Sequence, residues 1–250
     1  MDRLREKPDY TAAGARRYRP NPGIGACSRP FILVVLVILF IALSLPASAA
    51  EVYSKEGRIV LFDGQTTVQL TDGPGDYDPV LAPDESLAVF SRETDHRIAG
   101  GPCCEDEPPK AHQLWMVRTD GSGVRLLVRE SEGVPGDNWA ATVITHFDRK
   151  QFSSDGRYVF FQTPAWVTSG ALHVYDFLTG RIRYIAPAND VRVLSDCENN
   201  EYRDLLVVSQ HRYFVAGGSY DWYWLIDAKG QEVGPVGPDL APMLEACRLM

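Results

Sequence analysis

The chain reads as an all-β protein, a small or incomplete β-propeller of about three and a half to four four-stranded antiparallel blades. Three features of its 250 residues predict this. Strand-turn-strand units of two kinds alternate between residues 57 and 236. The returning strands of one kind are apolar throughout, as strands buried on both faces must be. Asp, Gly and Pro recur where the chain has to reverse.

From the N-terminus, the first segment stands apart. Residues 31–45 carry no charge and are followed by Pro46 and the small residues Ala47, Ser48, Ala49 and Ala50. A basic flank, an apolar run and a small-residue site in that order make a secretory signal. A membrane-crossing helix needs about 20 apolar residues, and this run is shorter and ends in a helix-breaking proline. We expect residues 1–50 to be a basic segment plus signal peptide, cut after Ala49 or Ala50, and 51–250 to be one propeller domain. The alternative is a retained anchor, which would make this segment the only membrane contact. The expected location is periplasmic or secreted.

Seven basic and three acidic residues lie in 1–50, so 18 Lys+Arg face 30 Asp+Glu in the remainder, a net charge near −12 against −8 for the whole chain. An acidic surface repels phosphate backbones and anionic lipid, which excludes nucleic acid as a partner. Hydrophobic residues make up 45% of the chain, ample for a packed core.

The first kind of unit spans 58–70, 113–127, 172–185 and 223–233, with Asp-Gly, Asp-Gly-Ser-Gly, Thr-Gly and Lys-Gly at the turns. Alternating apolar and polar flanks mark these as half-buried hairpins. The second kind spans 78–90, 149–161 and 204–216, with returning strands at 87–90, 158–161 and 213–216. Inner hairpins followed by outer ones give four-stranded sheets at 78–128, 149–185 and 204–236. The units start at Gly57, Gln113, Ala171 and Trp222, spacings of 56, 58 and 51 residues. A propeller blade usually repeats at about 40 to 45, so loops are inserted at 94–111, 129–146 and 186–201.

The turns of 79–85 and 152–156, and the hairpin of Leu114, Trp115 and 119–123, resemble the TolB-like (WD40-like) propeller repeat. Glu85 stands in place of glycine, Ser154 in place of proline, and Gln210-His211 where Asp-Gly is expected. TolB-like propellers are periplasmic and act through partner proteins. The resemblance therefore implies an exported module of the cell envelope that binds a protein or a small ligand. Some related propellers carry a lyase or hydrolase site, which gives the alternative reading. Four outer hairpins meet three inner ones, so the ring is incomplete or completes itself with a partner, a second copy included. Asp78, Arg149 and Asp204 each open an inner unit and are expected at one mouth of the central channel, as a binding site.

No nucleophile elbow, zincin helix or phosphate loop occurs, and no catalytic residue, cofactor or metal site is assigned. His96, Cys103, Cys104 and His112, with Glu105, Asp106 and Glu107, have metal-ligand residue types. Adjacent thiols suit one zinc ion badly, and a disulfide anchor in an acidic loop fits better. Asp72, Asp76, Asp78, Asp84 and Glu85 offer hard oxygen ligands, but without the spacing of a calcium loop they read as turn residues. His146 beside Arg149 is the only basis for a channel lyase. Trp139, Trp166, Trp222 and Trp224 fall near strand ends, where they are either contact residues or packing between blades.

After loss of Cys27, the four cysteines left are Cys103, Cys104, Cys197 and Cys247, an even number suited to an oxidising compartment. Cys197 precedes the last inner hairpin and Cys247 follows the last outer one. That places both at one blade and predicts their pairing; the competing pattern links either of them to Cys103 or Cys104.

Overall fold

Burial on both faces shapes the molecule, because blades II and III are each a sheet sandwiched between neighbouring blades. The computed structural model describes residues 49–98, 108–136, 139–166 and 169–249. The expected signal segment and the pair Cys103 and Cys104 lie outside them.

Blade I has three strands, β1 (Glu51–Lys55), β2 (Arg58–Phe62) and β3 (Thr67–Gln69), hydrogen-bonded in that order. Blade II is β4 (Asp76–Leu81), β5 (Leu87–Arg97), β6 (Lys110–Arg118) and β7 (Arg125–Val128). A two-stranded insertion follows, β8 (Ser131–Glu132) with β9 (Val143–Ile144), enclosing the short helix α1 (Trp139–Thr142). Blade III is β10 (Asp148–Phe152), β11 (Tyr158–Pro164), β12 (Gly170–Asp176) and β13 (Arg181–Ala188). Blade IV is β14 (Asp190–Val193), β15 (Leu206–Tyr213), β16 (Ser219–Ile226) and β17 (Glu232–Gly237), with α2 (Ala241–Ala246) after it. All pairings are antiparallel.

The second strand of each full blade explains why it is apolar on both sides. Along β5, Ala88 and Phe90 pack with Ile59, Leu61 and Leu70 of blade I, whereas Val89 packs with Phe152, Val159 and Phe161 of blade III. Along β11, Phe160 turns to Val191, Leu206 and Val208 of blade IV. Phe90, Phe160 and Phe161 are almost wholly buried, each worth roughly 2–3 kcal/mol of transfer free energy. At β15 the outward neighbour is no blade. Val207 and Leu225 meet Leu194, Cys197, Met243 and Cys247, from the loop after β14 and from α2. Cys197 and Cys247 are bonded there, with Cα atoms 4.6 Å apart.

Two sheets, at 78–128 and 149–185, fall where the alternating units place them. The last differs. The inner strand of blade IV is β14, not a strand opening at Asp204, and 213–216 is no buried strand but the exposed tip between β15 and β16, where Val215 is 109% exposed. Gln210 and His211, which the repeat places at a turn, lie mid-strand opposite Trp222 and Asp221. The true reversal uses Gly217 and Gly218, both with positive φ, at 97° and 87°. Blade I likewise gains β1, a strand the hairpin count did not include. Where glycine was expected, Glu85 adopts φ 56° and Gly156 of blade III φ 70°, so the turn shape survives the substitution.

Candidate functional site

Antiparallel order puts the starts of the inner strands and the tips between second and third strands at the same end of each blade. That end holds most of the chemistry.

It begins with a shared bulge. The register slips between Tyr77 and Val80 in β4 and between Asp148 and Gln151 in β10. Asp78 and Arg149 absorb the slip at φ 48° and 52°. Non-glycine residues persist in this left-handed region only where their surroundings hold them, and both are held by charge across a blade boundary. Lys150, whose side chain is 0% exposed, donates to the Asp78 carboxylate of the adjoining blade. It also donates to Ser91 Oγ at 2.9 Å and the Phe147 carbonyl at 2.7 Å, so every ammonium proton is used. Arg149 turns to the opposite neighbour and donates to Asp190 at the start of β14. Gln151 repeats the link with its amide, donating to the Val191 carbonyl and accepting from the Val193 N–H, both at 2.9 Å.

Beside Lys150 lie three half-buried rings. The Tyr77 hydroxyl is hydrogen-bonded to His112 Nδ1, and the His112 and His146 rings meet edge-on with centroids 4.2 Å apart. Burial, reinforced by His146, pulls the His112 pKa down to about 4. Burial lowers that of His146 as well. Burial and the nearby Asp148 raise that of Tyr77, which therefore keeps its proton and donates it to a neutral His112. Burial also lowers that of Lys150, with Asp78 opposing. The arrangement places a neutral imidazole pair and a protonated phenol next to a buried cation, groups that hold these forms across neutral pH and act there as hydrogen-bond donors and acceptors.

At Arg149, β11 and β12 border a cavity of about 330 Å³ lined by Asp148, Arg149, Thr163, Trp166 and Asn189. Four exposed aromatic side chains stand at this end of the molecule, on the tips of blades III and IV. They are Trp166, Tyr213, Phe214 and Trp222, with exposures from 36% to 76%. Phe214 and Tyr220 have centroids 4.5 Å apart, and Tyr220 and Trp222 5.3 Å.

Of the three residues expected at one mouth, two share this end of the blades. Asp78 and Arg149 lie at this end; Asp204 lies at the other, in the connection between β14 and β15, where it accepts from Ser154 N and Oγ at 2.6 Å. The misread register of blade IV put it in the wrong place. Neither remaining member is an isolated charge, since each is half of an interblade pair. The carboxylates weighed for calcium scatter to separate partners: Asp76 to Arg92, Asp72 to Gln69, Asp84 to Ser86. His96 bonds Glu132, whereas His112 bonds Tyr77. Trp139 donates to the Glu132 carbonyl at 3.1 Å, and the Trp224 ring is capped by Arg212 at 3.6 Å. Those two tryptophans are packing residues, while Trp166 and Trp222 are surface ones.

Lys150 and Tyr77 were missed. The signal was present: both flank the aligned charged positions, and a lysine where blade II has Pro79 breaks an otherwise turn-like pattern.

No protein-family model matches the chain, and no curated protein does. Similar solved structures include TolB from Acinetobacter baumannii, at 15% identity and a TM-score of 0.45, with 73% of this chain and 38% of that one covered. A puromycin hydrolase superposes at 16% identity and a TM-score of 0.46, covering 76% and 29%. Oligogalacturonate lyase from Vibrio parahaemolyticus does so at 16% and 0.44, covering 71% and 43%. The chain spans less than half the length of each of these proteins. Their ligands and reactions transfer nothing at this distance. The chain's own succession of antiparallel blades, inner hairpin before outer, makes its fold propeller-like.

Proposed function

We propose that this protein is an exported binding module of the cell envelope, taking a protein or small ligand at the end where the inner strands begin. One observation carries the reading: the four exposed aromatic side chains among the described residues all stand at that end. Aromatic anchors with few rotatable bonds are what recognition surfaces use. The signal-like segment and a bonded cysteine pair support export.

The test is capture from an envelope extract with three forms of the protein, after fractionation has located it. A species retained by the parent and by Leu178→Ala, an exposed residue at the opposite end, and lost with Trp166→Ala plus Trp222→Ala, is the expected result. Equal capture by all three, or a full-length species confined to the cytosol, overturns the proposal.

The second reading, a lyase or hydrolase site at the same mouth, is favoured by the Tyr77–His112–His146 contact. It requires that a captured ligand be returned chemically altered, and that His112→Gln stop the alteration while binding persists.

A further inference from the structure

Among the described residues, β1 is a terminal strand of the three-stranded sheet of blade I. Aligning β2 and β3 with the outer hairpins of the other blades makes β1 a second strand, so blade I has no inner strand among the described residues. On that side β1 makes no backbone hydrogen bond to another element among the described residues. Unpaired strand edges recruit other strands unless something covers or repels them.

The residues of β1 specify what fits. Ser54 faces blade II, donating to the Asp76 carbonyl at 2.8 Å, and Val52 packs against the same blade. Glu51, Tyr53 and Lys55 therefore line the opposite face. Glu51 and Lys55 are exposed. Read antiparallel against itself about Tyr53, this strand is self-complementary: Glu51 opposes Lys55 twice, Val52 opposes Ser54 twice, and Tyr53 opposes Tyr53. Opposite charges and aromatic pairs facing one another are what stabilise antiparallel strands, and a residue paired with itself is the signature of a two-fold interface.

We propose that β1 is a homodimer seam, at which two copies join edge to edge, antiparallel, with the two-fold axis at Tyr53. The product is one six-stranded sheet, β3-β2-β1 continued by the same strands of the second copy, a common sheet size. A seam of five residues on each side makes a weak, concentration-dependent dimer.

The experiment is sedimentation of the whole chain in mild detergent at roughly 100 µM, suited to so small an interface. Glu51→Lys alone and Lys55→Glu alone each set like charges opposite one another twice, and each is expected to weaken the dimer about tenfold. Combined, they restore the pairing and the parent mass. Under mild oxidation, Tyr53→Cys is expected to give a covalent dimer above the parent's background, because facing Cα atoms in such a pair lie about 4.5–5.5 Å apart. Ser54→Cys is expected not to, since two residues 54 are offset along the seam. A monomer at this concentration, a double reversal that fails to restore the dimer, or equal cross-linking at 53 and 54 overturns the proposal. So does protection of the β1 amides in a species that sediments as a monomer, which would mean a different strand occupies the edge.

Discussion

Blades I and IV finish the row in opposite ways. Blade IV turns its outward face onto a cap tied by Cys197–Cys247, 50 residues apart in sequence. Blade I has no covalent tie among the described residues and is seated on blade II by shape. Ile59, Leu61 and Leu70 pack on Phe90, and the Asp76 N–H donates to the Gly57 carbonyl at 2.9 Å. The lesson is that an open row of blades secures its ends by different physics. One end is secured by restricting the unfolded chain, the other by a close fit in the folded one.

The largest expected effect breaks the covalent end. Cys197→Ser with Cys247→Ser should lower the free energy of unfolding by about 4 kcal/mol, the entropy of an open loop of that length. Urea unfolding measures it, and hydrogen exchange should quicken first in α2 and leave β1 to β3 as they were.

The fitted end has its own weak point. Gly57 sits at φ +72°, and a Cβ there would come within 2.7 Å of the Gly75 nitrogen, backbone against backbone. Gly57→Ala is expected to cost about 2–3 kcal/mol, with exchange quickening in β1 to β3 while α2 keeps its protection. If both variants loosen both ends alike, the ends are coupled and the contrast fails.

Between the ends, the blade II to blade III seam supplies a polar comparison. Asp78→Ala strands the buried Lys150 ammonium and should cost about 2–3 kcal/mol. Lys150→Met removes the buried charge and leaves a half-exposed carboxylate, so it should cost less than about 1 kcal/mol. Thermal unfolding of the two variants decides the order.

A further effect is a pH dependence. The folded pKa of His112 lies near 4, below its ordinary 6.5, so the unfolded chain binds the proton more tightly. Stability is therefore full above about pH 6.5, declines as pH falls, and levels off near pH 4. The ring is only half-buried, and solvent screening limits the loss to about 1–2 kcal/mol. His112→Gln should flatten that part of the profile.

Much of the fold was legible because its signals are local. Strands such as 87–90 and 158–161 are apolar at successive positions, and only a sheet packed on both faces accepts that. Blade IV was misread for an equally local reason. The two strands of its inner hairpin, β14 and β15, are joined by a long disulfide-bearing connection, and its true turn at Gly217-Gly218 carries none of the Asp-Gly pattern. The candidate site was half legible. The aligned positions of Asp78 and Arg149 pointed to one end, but nothing near either residue showed that it was already paired.

The sequence by itself determined the alternation of hairpins, the two-faced burial of the second strands and the cysteines suited to cap the last blade, because periodicity and turn chemistry act over a few residues. Only the tertiary structure decided that Lys150 meets Asp78, 72 residues earlier, that His112 and His146 share one contact, and that Asp204 belongs to the other end. Those outcomes depend on how a bulge in one blade aims a side chain at the next, and strand register across a blade boundary is set by packing that no local pattern encodes.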